Sequence, residues 1–332
     1  MLISKPTYYD RFRCVAGSCP DSCCKEWDVQ VDAGAAAYYR SLPGSLGDRL
    51  RQVLVTQADG SAAMTIVEGR CPMWRQDGLC RIQAELGEAA LCHVCREFPR
   101  LTHDYGNFIE YGLELSCPEA ARLILADREF QVDSVWRPGG GEPEYDQEAM
   151  ETLLHTRETA LDILRDSTRS LPEALRLLLH YGYQAQNELD GAGPAPFDPD
   201  AALDTAARFA KPGSRDAIAG FFSGLEILTP DWQALLNAPE GEARWPGELR
   251  AMAGYLVRRY WLQAVSDYDL ACRVKFIIIA CLLVKHLGRD VCRTAQLFSK
   301  EIENNTDNVD AILDAAYTNP AFTDAKLLGM LL

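Results

Sequence analysis

Cysteine dominates the chemistry available to this chain. Nine of its twelve cysteines lie in the first 117 residues, as Cys14-x4-Cys19-x3-Cys23-Cys24, then Cys71-x8-Cys80-x11-Cys92-x2-Cys95, then Cys117-Pro118. Thiolate is a soft donor, and a set of four suits Zn²⁺ or an iron–sulfur cluster. Neighbouring pairs lose little chain entropy on ligation, whereas distant pairs such as Cys24 and Cys71 tie separate loops together. Cys23 and Cys24 are awkward ligands of one ion, because successive side chains point apart. They suit two metals of a cluster, or one of them is structural. Nine thiols exceed one set of four, so either two centres form or some thiols are spectators. Cys92 and one of Cys23 and Cys24 are the expected spectators. The expected ligands are Cys14, Cys19, Cys23, Cys24, Cys71, Cys80, Cys95 and Cys117, with a redox-active dithiol set or plain packing as the competing readings.

The spacings are not the paired Cys-x2-Cys of a zinc ribbon. They also depart from the Cys-x3-Cys-x2-Cys of radical S-adenosylmethionine enzymes, because after Cys19-x3-Cys23 the third position is Glu26. Iron–sulfur is the expected centre and zinc the alternative. His93, between Cys92 and Cys95, reads as a loop histidine before it reads as a ligand. Cys272, Cys281 and Cys292 sit in apolar helical patterns and read as small packed hydrophobes. Trp27, Trp74 and Phe98 flank cysteines and are placed to shield the centre from water.

Elements positioning these thiols fall into two regions. Residues 1–135 read as a loop-rich cysteine-cluster lobe with short strands at Trp27–Val31, Met64–Val67 and Gly112–Leu115. Helices are predicted there over 33–55, broken near Pro43-Gly44, and over 119–127, behind Pro118. Arg137-Pro-Gly-Gly-Gly-Glu-Pro marks a boundary, since Gly and Pro interrupt regular structure. Beyond it, residues 145–332 read as an all-helical domain. Apolar spacing of three and four predicts helices over 146–168, 171–189, 199–210, 214–226, 247–265, 267–287, 289–304 and 307–318. Gly191 to Pro199 reads as an exposed loop, and no internal repeat is present. The fold class is mainly α.

Composition excludes several functions. With 48% apolar and 24% charged residues the chain has the make-up of a folded protein. Its net charge of −15 argues against nucleic acid, whose phosphates need a basic face, and suits a cationic partner such as a lysine-bearing protein. The longest apolar run, Phe276 to Val284, falls well short of the roughly twenty residues a membrane span needs. No signal-peptide pattern opens the sequence, so a reducing cytoplasm is expected, where clustered cysteines point to metal or thiol chemistry rather than disulfides. Neither a Gly-x-Gly-x-x-Gly turn nor a Walker loop is present, and Gly139-Gly140-Gly141 lacks the strand-to-helix context.

Longer motifs surround the cysteines: Phe12-Arg13-Cys14, Cys19-Pro20-Asp21-Ser22-Cys23-Cys24-Lys25-Glu26-Trp27, Arg70-Cys71-Pro72-Met73-Trp74, Asp77-Gly78-Leu79-Cys80-Arg81-Ile82-Gln83, Cys95-Arg96-Glu97-Phe98-Pro99-Arg100, and Glu114-Leu115-Ser116-Cys117-Pro118-Glu119-Ala120-Ala121-Arg122. In these the chain resembles the flagellin lysine-N-methylase family. Less distinctively, so do Tyr255-Leu256-Val257, Val274-Lys275-Phe276 and Phe298 to Glu303. It is also similar to cysteine-cluster proteins described as zinc or iron chelators. The resemblance implies methyl transfer from S-adenosylmethionine to lysines of flagellin in the cytoplasm, and an iron–sulfur cluster, expected as 4Fe–4S. The alternative is a non-catalytic zinc- or iron–sulfur-binding module, for electron transfer or protein escort.

Methylating a lysine needs its neutral amine, yet free lysine has a pKa of about 10.4, so a site must desolvate it or supply a base. Candidates near the cysteines are Glu110, Tyr111, Glu114 and Tyr105. Arg96 and Arg100 are candidates for holding the cofactor's carboxylate bidentately. Tyr255, Tyr260 and Trp261 follow helical spacing and read as core. Lys300, Glu301 and Glu303 read as a solvated helix face.

Overall fold

A computed structural model describes residues 1–238, 245–288 and 290–332. Strand β1 (Leu2–Pro6) comes first. After two short 3₁₀ turns follow β2 (Val29–Val31), α1 (Ala33–Ser41), α2 (Gly44–Val53), β3 (Leu54–Thr56), β4 (Ala62–Met64), α3 (Arg81–Leu86), α4 (His93–Glu97), β5 (Arg100–Asp104), β6 (Phe108–Leu113), α5 (Pro118–Ile124) and β7 (Val132–Trp136). The rest is helical: α6 (Gln147–Arg165), α7 (Leu171–Leu189), α8 (Pro199–Phe209), α9 (Arg215–Phe222), α10 (Pro230–Leu236), α11 (Gly247–Tyr260), α12 (Leu270–Leu287), α13 (Val291–Phe298), α14 (Thr306–Thr318) and α15 (Asp324–Met330). The fold is mainly α, as the sequence predicts.

Local chemistry explains most boundaries. Asp32 caps α1 by accepting from the Ala35 N–H, and the helix stops before Pro43, so the predicted break divides α1 from α2. Ser170 and Glu173 form a reciprocal capping box at α7, with Pro172 in the first turn, where no N–H is needed. Two predicted helices change type. The helix expected over 247–265 turns 3₁₀ at Trp261–Val265. Of the helix expected over 289–304, residue 289 lies outside the described residues, and the remainder is α13 followed by a π turn at Ser299–Glu303.

Four strands form one sheet in the order β5-β6-β1-β7. Its central pair is parallel, with Leu2 opposite Phe108, while β7 runs antiparallel to β1 with Val132 opposite Pro6. A smaller sheet has the order β2-β4-β3. Buried side chains make two cores. The smaller gathers Val29, Tyr39, Leu50, Met64, Met73 and Ile82 with Cys71 and Cys92. The larger centres on α12, whose residues from Leu270 to Leu287 are all buried, its long apolar run flanked by Arg273 and Lys275 paired with Asp267 and Asp324. Tyr8, Phe12, Leu113, Leu115 and Phe130 join this larger core, which packs the four-stranded sheet onto the helices. Contact there is close enough that a Cβ added at Gly254 would stand 2.3 Å from Phe130 Cε1. Among the described residues no helix is long and apolar enough to cross a membrane.

Candidate metal centre and adjoining cavity

Backbone hydrogen bonds fold the cysteine loops onto one another. The Cys71 N–H donates to the Cys24 carbonyl at 2.7 Å, and the Glu26 N–H to the Gly69 carbonyl at 3.1 Å. Gly69 and Gly78 hold φ of +73° and +78°, which glycine adopts without strain, and so close the turns on either side of Cys71. The Arg81 N–H then donates to the Met73 carbonyl at 2.8 Å, bringing Cys80 back toward Cys71. Cys80, Cys92 and Cys117 each occupy the N-cap of a helix, α3, α4 and α5 respectively. At that position the helix dipole favours a thiolate.

Electrostatic coupling sorts the nine thiols into two groups. Cys23, Cys24, Cys71, Cys80, Cys92 and Cys95 influence one another, while Cys14, Cys19 and Cys117 form a second group. In the first, a hydrogen bond with Cys23, together with burial, pushes Cys24 up to about 12. Its hydrogen bond with Cys24, and then burial, drives Cys71 far above the ordinary thiol range. Cys95 lowers the pKa of the Cys92 thiol and is itself driven far upward, because two adjacent thiols share one proton more easily than they lose two. In the second group burial pushes Cys117 up to about 11.

All twelve cysteines are free thiols. Among the described residues, no three Cys, His, Asp or Glu side chains close around a common point as a metal-ligand set. The donor chemistry nonetheless fits a thiolate-held group. Five soft donors line one small core with Cys23 beside them, and a bound cation would stabilise them together as thiolates. Cys92, expected as a spectator, is buried inside the larger group beside Cys95. Cys14 and Cys19, expected as ligands with the rest, stand with Cys117 in the other. Trp27 donates its ring N–H to the Cys23 carbonyl at 2.6 Å and lies 6.3 Å from Phe98. Trp74 is covered by the Arg70 guanidinium, 4.1 Å from its ring centre. His93 is exposed and donates its backbone N–H to Asp32. Cys272 and Cys281 are packed in the core.

Between the thiol lobe and the helices lies an ionic junction. Asp21, only 9% exposed, receives the Lys300 ammonium at 3.2 Å and the Gln296 amide at 3.2 Å. Lys300 also reaches Glu26 at 2.6 Å. The predicted solvated face at 300–303 is therefore wrong. Glu301 is fully buried and accepts from the Leu228 N–H at 2.7 Å, and Glu303 receives the Tyr260 hydroxyl at 3.1 Å. The π turn at Ser299–Glu303 sends these side chains to separate partners, a use typical of such turns.

Behind the sheet, α11 and β6 border a cavity of about 50 Å³ lined by Lys5, His103, Glu110, Tyr255, Arg258 and Arg259 among others. Glu110 and Tyr111 are successive residues of β6 and so face opposite sides of the sheet. Glu110 accepts two hydrogen bonds from Arg157, at 2.6 and 2.7 Å. Burial raises its pKa, but the charge and hydrogen bonds of Arg157 outweigh that and the net shift is downward. It is a structural anion rather than a free base. Glu114 differs: burial raises its pKa, Arg259 and Ser116 oppose only partly, and the net shift is upward. Tyr105, stacked on Phe108 at 4.6 Å, is pushed up to about 12 by burial and by Glu110. Arg96 and Arg100 are not brought together as a carboxylate clamp. Arg96 is exposed beside Glu97, and Arg100 stands over the Phe12 ring at 5.4 Å.

Sequence reasoning passes over Arg157, Arg259, Asp21 and Glu303 as site residues. A signal exists for Arg157, which sits among Leu153, Ala160, Leu161 and Leu164 on the buried stripe of α6, where a lone charge needs a partner.

Comparison with known proteins decides the kinship. Over 133 residues the chain is 32% identical to flagellar biosynthetic protein FliU of Salmonella muenchen, a match that takes in 38% of this chain and 79% of that protein. The chain belongs to the family of lysine-N-methylases and FliU. To the lysine-N-methylase of Salmonella typhimurium it is 33% identical, and to that of Salmonella choleraesuis 32%, in each case over 38% of this chain. The matched stretch of this family member spans about a third (33%) of the length of those curated lysine-N-methylases. No family model matches the chain. No solved structure matches it either.

Proposed function

We propose that this chain transfers methyl groups from S-adenosylmethionine to lysine side chains of a protein, flagellin being the expected substrate, beside an iron–sulfur cluster held by its thiols. Kinship with proteins named lysine-N-methylase is the observation that carries the reaction. Thiols gathered around one small core support the cluster, with Cys24, Cys71, Cys80 and Cys95 the residues that would hold it and Cys23 and Cys92 beside them. When bound, such a cluster supplies a polarisable, charged centre whose properties its surroundings tune. The acidic chain, net −15, supports attraction of a lysine-bearing partner.

In the transfer, the amine lone pair forms the new N–C bond, the methyl–sulfur bond breaks with its electrons left on sulfur, and one proton leaves the nitrogen. Glu114 is the residue suited to take that proton. Its carboxylate is half-buried, is hydrogen-bonded to Ser116 Oγ at 3.0 Å, and is made more basic than an exposed glutamate by burial. Glu110 supports the site by fixing Arg157 behind β6.

The test is anaerobic purification with iron, sulfide and zinc analysis, followed by mass spectrometry of flagellin incubated with the protein and S-adenosylmethionine. Lysine methylation by an iron- and sulfide-bearing protein is expected. A zinc-loaded protein would remove the cluster from this reading, and unmodified flagellin the substrate.

A further inference from the structure

Two guanidinium groups, those of Arg258 and Arg259, line the cavity behind β6, and a third, that of Arg157, pairs with the lining residue Glu110. Arg157 is matched by Glu110, and Arg259 has Nε 2.9 Å from Glu303 Oε1. Arg258 gives Nη2 to the Phe130 carbonyl at 2.5 Å, and its nearest carboxylate, on the half-exposed Glu158, is 3.9 Å away. His103, whose pKa burial and Arg259 both lower, adds no charge at neutral pH. The carboxylates of Glu110 and Glu303 are thus engaged by Arg157 and Arg259, Lys5 at the cavity's edge is paired with Asp10, and Arg258 has only the distant Glu158. Donors remain over. Arg259 Nη1 and Arg258 Nε are buried without a hydrogen-bond partner, and both residues line the cavity. Buried charged donors are costly to leave unpaired, so an anionic acceptor entering the cavity would be held by them. At about 50 Å³ the space admits a few heavy atoms, the size of a carboxylate, whose two oxygens match the fork of an arginine.

We propose that this cavity is a carboxylate-binding site and, resting on the methyl-transfer reading above, that it takes the amino-acid carboxylate of the methyl donor. Arg259 is the principal ligand and Arg258 the second. Neither Arg96 nor Arg100 takes part.

Calorimetry on the full chain with two nucleosides tests this. S-adenosylhomocysteine carries the carboxylate, while 5′-methylthioadenosine keeps the nucleoside and thioether but lacks the amino acid. Wild type should bind the first at least about tenfold more tightly. R259Q should erase that preference by weakening the first ligand alone, and R259K, which keeps charge without the fork, should restore part of it. Since R259Q strands Glu303, the charge-balanced R259Q/E303Q variant repeats the measurement in case R259Q does not fold. Equal affinity of wild type for the two ligands means the cavity holds only water, and overturns the site while leaving methyl transfer standing. A preference unchanged in R259Q/E303Q overturns it equally. Failure of wild type to bind either nucleoside overturns the methyl-transfer reading, and the ligand assigned to the cavity with it.

Discussion

Replacing Glu110 by glutamine tests the buried pair that fixes β6 to α6. The Arg157 side chain is 4% exposed and that of Glu110 17%, with the two contacts at 2.6 and 2.7 Å. Removing one partner leaves a guanidinium in the interior without its anion, a change that costs about 3–5 kcal/mol. Unfolding entropy of about 2.1 cal/mol/K per residue gives about 0.7 kcal/mol/K for a chain of this length. If the chain melts as one unit, E110Q should therefore lower Tm by about 4–7 °C in calorimetry or thermal circular dichroism. E110Q/R157M, which removes both charges, should recover most of that loss. The dependence on pH has a definite sign. Because the folded pKa of Glu110 lies below its ordinary value of 4.5, its contribution is complete above that value and is lost as pH falls through the lowered one. The gap between wild type and E110Q should close as the solution is acidified below pH 4.5. An E110Q protein melting within about 1 °C of wild type at neutral pH would refute the reasoning, since the assumed cost of the stranded charge would be absent.

Cys71→Ala should lose bound iron and sulfide together with methylation, whereas Cys281→Ala, buried in α12, should keep both. A Cys71→Ala protein with full metal content would remove Cys71 from the ligands. Lys300→Met withdraws one cation from Asp21 and from Glu26, at a cost of about 2 kcal/mol for hydrogen bonds to charged groups. Hydrogen exchange should quicken in residues 19–31 and 69–81 while α12 stays protected. Uniform change across both would contradict the assignment of this junction. Gly254→Ala drives a methyl group into the Phe130 ring and should destabilise by about 1–3 kcal/mol in urea unfolding. Tyr255→Phe removes a hydroxyl 3.3 Å from Glu303, where Tyr260 and Arg259 remain, but strands the buried Leu115 N–H from which it accepts at 3.4 Å, so a loss of about 1–3 kcal/mol is expected.

Legibility in the sequence follows the range of the forces involved. Helix α7 is readable to the residue, because its apolar period, capping box and first-turn proline all act within a few positions. Helix α10 has comparable signals in Thr229 and Pro230, but seven residues give too little periodicity to register. Strands are harder. β1 and β5 carry no clean alternation, and the pairing of β1 depends on segments far along the chain. The expected strand at Gly112–Leu115 overlaps only the last two residues of β6, which runs from Phe108 to Leu113 and includes the charged Glu110. At the site, the types and clustering of the thiols are visible, but not their division into two groups, since that depends on which loops the backbone hydrogen bonds join. Lys300 and Glu303 mislead for a related reason. A charge on a helix looks solvated until the partner that buries it, here Asp21 or Tyr260, is placed by tertiary packing.

The central position of β1 also has a bearing on how the protein is made. Leu2 pairs with Phe108 on one side and Trp136 on the other. At synthesis rates of about 5–20 residues per second, this strand waits roughly 7 to 27 seconds for its second neighbour to be translated. The small core between Val29 and Cys95 has every member on hand well before that. Its thiols thus meet while the nascent chain still lacks both its completed sheet and its helical body. The metal group proposed above would therefore have an early window for loading on the ribosome, whereas the thiols of Cys14, Cys19 and Cys117, which span the first strand's wait, come together later.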